Sequence, residues 1–222
     1  MKLVYPEWEQ TIEFHENRIP VVVLEAPKYY RRIIGEISDQ NGDGCGRFVL
    51  SDNDKEIEFK KYVQIILSPY AINTDDGRIV KRIYKQLEEV ALEEELLETR
   101  EISGRITEYL YRLMGYYNYD LSCDETIDLQ TLFKSAGIRP SFDSSDVLQQ
   151  IVDYYELVRD SLGIRLFIMI NFRTLLTREE LEDFYATIAN KKISVLLLEN
   201  RINGGKIDCE DVLTIDSDLC EL

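Results

Sequence analysis

The sequence predicts an α/β protein, a mostly parallel sheet carrying an inserted helical arm. Residues 20–24, 164–170 and 194–198 are predominantly apolar runs of strand length, the pattern of strands covered on both faces. Segments of helical period alternate with them at both ends of the chain, and such alternation builds a parallel sheet with helices on two sides. The middle differs. From Asp75 to about Gly115 the period is helical, with Ile79, Ile83, Leu87, Val90 and Leu97 on one stripe.

Taken in order, residues 2–14 hold short apolar pieces broken by Pro6 and acids, which predicts a hairpin. A strand over 20–25 stops at Ala26-Pro27, and a helix follows over 28–37. Residues 47–51 and 62–68 predict two more strands, separated by the charged stretch 52–61. After the long helical segment, a helix over about 125–136 ends at Gly137. Asp143, Ser144 and Ser145 are cap candidates for a helix running to Gly163. A strand over 164–170 leads to a helix over 177–190, with Thr177 as cap and Glu180 at the capping-box position. Strands over 193–198 and 212–215 complete the pattern. Residues 1–70 and 140–222 are thus expected to form the α/β head, and 71–139 the arm.

Composition narrows the function. An apolar fraction of 45% suits an ordered globular core. No run of 18 apolar residues exists and residues 1–7 lack a signal-peptide core, so a cytoplasmic protein without a membrane partner is expected. The four cysteines form no C-x-x-C pair, which argues against a zinc or dithiol site. His15 is the only histidine, and no G-x-S-x-G occurs. Triads that need a second imidazole and H-E-x-x-H metal sites are therefore excluded, no nucleophile shows a base partner, and no enzyme is expected. The net charge of −16 opposes nucleic-acid binding when taken alone.

The turn between strand and helix at 21–32 is where an open parallel sheet cradles phosphates on backbone N–H groups. Here it reads Glu25-Ala26-Pro27-Lys28, with no glycine and one N–H donor lost to Pro27. The strand over 164–170 ends in Asn171, where a nucleotide hydrolase would place an Asp for Mg²⁺. A diverged P-loop-type hydrolase is thus an alternative whose chemistry is missing. Residues 39–44 match the opening of an EF-hand loop, but Leu50 stands where a bidentate Glu is required, so a polar turn is expected.

Asp120, Asp124, Glu125 and Asp128 place four carboxylates in nine residues at an expected helix start. With Asp124 and Asp128 one turn apart, they suit either Ca²⁺ or the favourable end of the helix dipole. Arg78, Lys81, Arg82 and Lys85 recur at helical spacing as one basic face. Lys28, Arg31 and Arg32 form a second basic group, and Lys134 with Arg139 a third. Solvated faces with internal ion pairs, such as Lys85 with Glu89, explain them equally well.

Three segments in this order resemble one family: 21–28 (VVVLEAPK), then Asp124-Glu125 followed by 132–138 (LFKSAGI), and 195–201 (VLLLENR). It is the small accessory adaptation protein of subtype II-A CRISPR systems, needed for spacer acquisition. The resemblance covers essentially the full chain. It implies a head similar to P-loop nucleotide hydrolases with the phosphate loop decayed. It further implies a ring-shaped homotetramer that holds Ca²⁺, binds double-stranded DNA by its ends without sequence preference, and works with the CRISPR integrase pair and the RNA-guided nuclease. Ca²⁺ then falls to Asp120, Asp124, Glu125 and Asp128. By charge and position, the DNA channel falls to Lys28, Arg31, Arg32, Arg78, Lys81, Arg82, Lys85 and Lys134. A ring can turn a few cations inward while its outside stays acidic. The remaining alternative is a protein-binding scaffold of the adaptation complex.

Overall fold

From the N-terminus, β1 (Lys2–Val4) and β2 (Ile12–Glu13) form a hairpin, and β3 (Ile19–Leu24) runs into α1 (Pro27–Asp43). Then come β4 (Val49–Asp52), β5 (Lys55–Ile57), the one-turn α2 (Phe59–Tyr62) and β6 (Val63–Ile66). Three helices follow: α3 (Gly77–Glu93), α4 (Leu96–Met114) and α5 (Leu129–Ser135). The chain ends with α6 (Val147–Leu162), β7 (Leu166–Ile170), α7 (Arg178–Asn190), β8 (Ser194–Glu199) and β9 (Glu210–Ile215). This computed structural model describes residues 1–68, 70, 72–73, 75–142 and 146–222. They divide into two compact units, Met1–Ile72 with Phe142–Leu222, and Asn73–Ser141.

In the first unit five strands make a parallel sheet in the order β6-β7-β8-β3-β9. All six residues of β3 are buried, because Val22 is flanked by Leu198 and Leu213 and both sheet faces are covered. On one face Val22, Leu24, Ile168 and Leu196 cluster with Tyr30, Ile33 and Ile37 of α1. On the other, Phe167 stacks on Tyr155 of α6 at 4.6 Å between ring centroids. Thr177 and Glu180 form the expected capping box at the start of α7.

The parallel sheet is not the whole β-structure. Four strands form a separate antiparallel sheet, order β2-β1-β4-β5. The charged stretch expected to separate two strands holds β5 and α2 instead. Asn53 and Asp54 both take positive φ (50° and 58°), which is the tight two-residue hairpin turn. β5 itself buries no residue fully, so it carries no alternation to detect. Helix α1 also runs on to Asp43, through the residues expected as a polar turn, and stops where Gly44 adopts φ 86°. Gln40 near its end is buried and exchanges two hydrogen bonds with the Phe48 backbone, at 2.7 and 2.9 Å.

The N-cap of α6 is Asp146, which accepts from Leu148 N at 2.9 Å; the cap candidates 143–145 lie outside the described residues.

In the second unit the expected continuous helix from 75 to 115 is two helices. It breaks at Glu94 and Glu95, the end of a three-glutamate run at the negative pole of α3. Thr99 Oγ1 crosses the break to donate to the Ala91 carbonyl at 2.9 Å. Helix α5 starts four residues later than expected, at Leu129. It is tied to α3 by Tyr84 Oη donating to the Ile138 carbonyl (3.1 Å) and Gln130 donating to Glu88 (2.6 Å). Among the described residues of this unit only Ile79 and Leu129 are buried. Among the described residues no helix is long and apolar enough to cross a membrane.

Candidate functional site

The carboxyl edge of a parallel sheet is where open α/β folds place ligands. Here β3 enters α1 through Ala26, which offers no side-chain cap, and Pro27. A hollow of about 270 Å³ lies there, lined by Glu25, Pro27, Tyr30, Arg31, Asn200 and Arg201. Its chemistry is two guanidinium groups facing one carboxylate. Asn171, after β7, takes φ 51° and accepts from Asn200 N at 3.2 Å. That side chain braces the end of β8 and supplies no charge for a cation.

Beneath this edge sits a buried ionic cluster with no counterpart in the sequence reading. Arg173 (3% exposed) lies 2.9 Å from Glu210 (0%). Glu210 also accepts from Tyr185 Oη (2.7 Å) and Ile207 N (2.9 Å). Glu199, fully buried at the end of β8, accepts from Arg173 N at 3.0 Å, while its Oε2 has no hydrogen-bond partner among the described residues. Burial pushes the Glu199 carboxyl up to about 7, against the hydrogen bonds from backbone N–H groups. The available signal was Glu199 itself, an acid continuing an apolar strand, which has to end buried or exposed with the strand.

The basic residues fall into three situations. Arg32 is committed. It donates to Glu7 (2.9 Å through Nη1), beside Arg47, which bridges Glu7 (2.8 Å) and Glu36 (2.7 Å). Hydrogen bonds from Arg32 and, against an opposing effect of burial, from Arg47 hold the Glu7 carboxyl down to about 2. Lys28 and Arg31 are exposed on the same helix and make no ion pair among the described residues. On α3, Arg78 pairs with its own cap Asp76 at 2.7 Å and Lys85 reaches Glu89 at 3.7 Å. Lys81 and Arg82 stay without an ion pair among the described residues. The four fall at 78, 81, 82 and 85 within one helix, so they do share a face. Lys134 stands in the last turn of α5, and with Lys81 and Arg139 it lines a hollow of about 500 Å³.

The acidic group is not assembled as expected. Asp120, Asp124 and Glu125 precede α5 in non-helical chain, so Asp124 and Asp128 are not one helical turn apart. The reason is Asp128 itself, the N-cap, whose carboxylate accepts from Thr131 N at 2.5 Å. That hydrogen bond also lowers its pKa. Among the described residues no three His, Cys, Asp or Glu side chains gather as a metal-binding group.

The family model described as CRISPR-associated protein (Cas_Csn2) matches residues 40–219. A CRISPR-associated protein Csn2 from Enterococcus faecalis is 29% identical over 137 residues, covering 60% of this chain and 60% of that protein. The chain thus spans about 60% of the length of the curated relative it matches. A family match that runs from the last turn of α1 past the end of β9 takes in both units, and on that extent the chain belongs to the Csn2 family of CRISPR-associated proteins.

Proposed function

We propose that this chain is a non-catalytic protein of CRISPR spacer acquisition that grips double-stranded DNA without reading its sequence, as a ring-shaped homotetramer. The observation that carries the reading is the family match over residues 40–219. The basic face of α3 and Lys28 and Arg31, which hold no ion pair among the described residues, support the DNA contact, since a chain of net charge −16 holds DNA only where cations are collected. The helical unit supports self-association. Helix α4 buries no residue, and Leu97, Tyr109, Tyr111 and Tyr116 are exposed, more apolar surface than an isolated helix keeps in water. The integrase pair and the RNA-guided nuclease are the partners this reading brings, in the cytoplasm.

The sheet unit is, in this reading, a nucleotide-hydrolase-like fold without its phosphate loop. The first strand-to-helix turn sits at the carboxyl edge of the sheet and offers Glu25, Ala26 and Pro27 in place of glycines. Titration calorimetry with ATP and Mg²⁺ is expected to show no binding; micromolar affinity would bring back the diverged nucleotide hydrolase as the reading. The Ca²⁺ implied by the family resemblance does not fit the donor set of one chain. Asp128 is a helix cap, and Asp120, Asp124 and Glu125 converge with it on no common point among the described residues. No step of the proposed function runs through the ion.

The deciding experiment is fluorescence anisotropy with linear and closed-circular duplexes over a salt series. Binding to linear DNA that weakens steeply with salt, with little binding to closed circles, is expected of a ring loaded over ends. No binding to either at low salt would leave a protein-binding scaffold.

A further inference from the structure

We infer that the hollow between the start of α3 and the turn after α5 takes one nucleotide unit, its phosphate on Lys81, Lys134 and Arg139 and its base on the floor formed by Val80, Tyr84 and Ile138. This deepens the DNA-binding reading, and rests on it for one source of the nucleotide, an unpaired residue at a DNA end.

The hollow measures about 500 Å³ and is lined wholly from the helical unit, within the size of small-molecule sites. Its cations arrive from separate segments. Lys81 projects from the second turn of α3, and Lys134 from the last turn of α5. Arg139 is brought in because Gly137 takes φ 68° and reverses the chain, with Ile138 N closing back on the Phe133 carbonyl at 3.2 Å. One acid, Asp75, shares the lining. Arg139 reaches it at 3.9 Å with both side chains more than two-thirds exposed (67% and 72%), a pair too loose and too solvated to bind the guanidinium firmly. Lys81 and Lys134 hold no ion pair among the described residues.

The floor separates a nucleotide from a bare phosphate. Tyr84 is fixed by its hydroxyl, which donates to the Ile138 carbonyl at 3.1 Å, and by Phe133, 6.1 Å away between ring centroids. Its ring is therefore a standing platform flanked by Val80 and Ile138. The backbone of an intact duplex presents phosphates and needs cations alone. A half-buried aromatic and aliphatic floor beside those cations is useful to a ligand that carries both a phosphate and a flat, unstacked base. An extruded terminal nucleotide and a free mononucleotide share that chemistry.

Two titrations of the full chain test this. In calorimetry, deoxyadenosine 5′-monophosphate is expected to bind, inorganic phosphate at least about tenfold more weakly, the modest end of what one stacked base contributes. The doubly substituted Lys81→Gln, Lys134→Gln variant is expected to lose both; its changes lie on exposed side chains, and an unchanged melting temperature verifies its fold. In anisotropy, a duplex with one unpaired 3′ adenosine is expected to bind about tenfold more tightly than the blunt duplex, with the preference lost in the variant and under saturating deoxyadenosine monophosphate. Equal binding of phosphate and mononucleotide would overturn the floor's role, and with it the inference. Blunt-duplex binding with neither mononucleotide binding nor overhang preference would overturn the inference and leave the DNA-binding reading standing. Mononucleotide binding with no duplex affinity would support the site, with the free nucleotide as its source, and overturn the DNA-binding reading.

Discussion

The sheet unit and the helical unit differ in how firmly their charged residues are paired. In the sheet unit most arginines are held by carboxylates, Arg18 by Asp211, Arg32 and Arg47 by Glu7 and Glu36, Arg165 by Asp52, Arg173 by Glu210, while Lys28 and Arg31 hold no ion pair among the described residues. The three central strands of its parallel sheet, β7, β8 and β3, are buried almost throughout. In the helical unit Lys81, Arg82 and Lys134 hold no ion pair among the described residues, and α4 buries nothing. Short-range helical propensity alone does not keep such a segment folded. The contrast teaches that the first unit satisfies most of its side chains within the chain, Lys28 and Arg31 apart, whereas the second leaves both charge and apolar surface for something outside the chain.

The comparison is broken most directly by truncating one large apolar side chain in each unit. Phe167→Ala deletes a ring stacked at 4.6 Å on Tyr155 in the sheet unit and is expected to lower the unfolding free energy by about 4 kcal/mol. Leu97→Ala, on a side chain 82% exposed, is expected to change it by less than about 0.5 kcal/mol at the lowest workable concentration. Urea unfolding reads both. A cost for Leu97→Ala that grows with protein concentration would show that α4 is covered by another copy. An equal cost at all concentrations would dissolve the contrast between the units.

The next effect sharpens what burial does to charge in the sheet unit. The folded Glu199 carboxyl is raised to about 7, first by burial, so between its ordinary value and 7 the folded chain holds a proton that the unfolded chain has released. Stability from this group is therefore greatest below about pH 4.3 and falls as pH rises through 7, by about 3 kcal/mol in all. Glu199→Gln is expected to flatten that part of the melting-temperature profile. A profile that keeps its full slope between pH 5 and 7 would place the titration elsewhere.

How much of this was open to sequence reasoning depends on range. The parallel strands were legible because runs such as 194–198 are apolar on both faces, and the capping box of α7 because Thr177 and Glu180 are three residues apart. The family resemblance was legible too, as the match over 40–219 bears out. Strand β5 was not, since its register comes from Asn53 and Asp54 at positive φ and it buries nothing fully. Nor was the cluster of Arg173, Glu199 and Glu210, which joins residues that only the strand order brings together. The acids 120–128 left two readings open for a local reason. An aspartate is as good an N-cap as a metal ligand, and Asp128 is the cap. Asp128→Ala is accordingly expected to cost about 1 kcal/mol, to the same extent with Ca²⁺ or with chelator. A loss confined to Ca²⁺-containing buffer would return Asp128 to the metal.

The smallest effect separates two neighbours on one helix. Arg31 lines the hollow at the sheet edge and pairs with nothing among the described residues, whereas Arg32 is held by Glu7. If free cations bind DNA and paired ones hold the fold, Arg31→Gln should leave stability within about 0.5 kcal/mol. It should also reduce the slope of log affinity against log salt by about 1. Arg32→Gln should do the reverse. The slope stays, while stability falls by about 0.5–1 kcal/mol, kept modest because the pair is partly solvated. The Glu7 carboxyl then also rises from about 2, since its first hydrogen-bond donor is gone, and the acid limb of the melting profile moves to higher pH. Equal slopes for the two variants would mean that pairing does not decide which cations meet DNA.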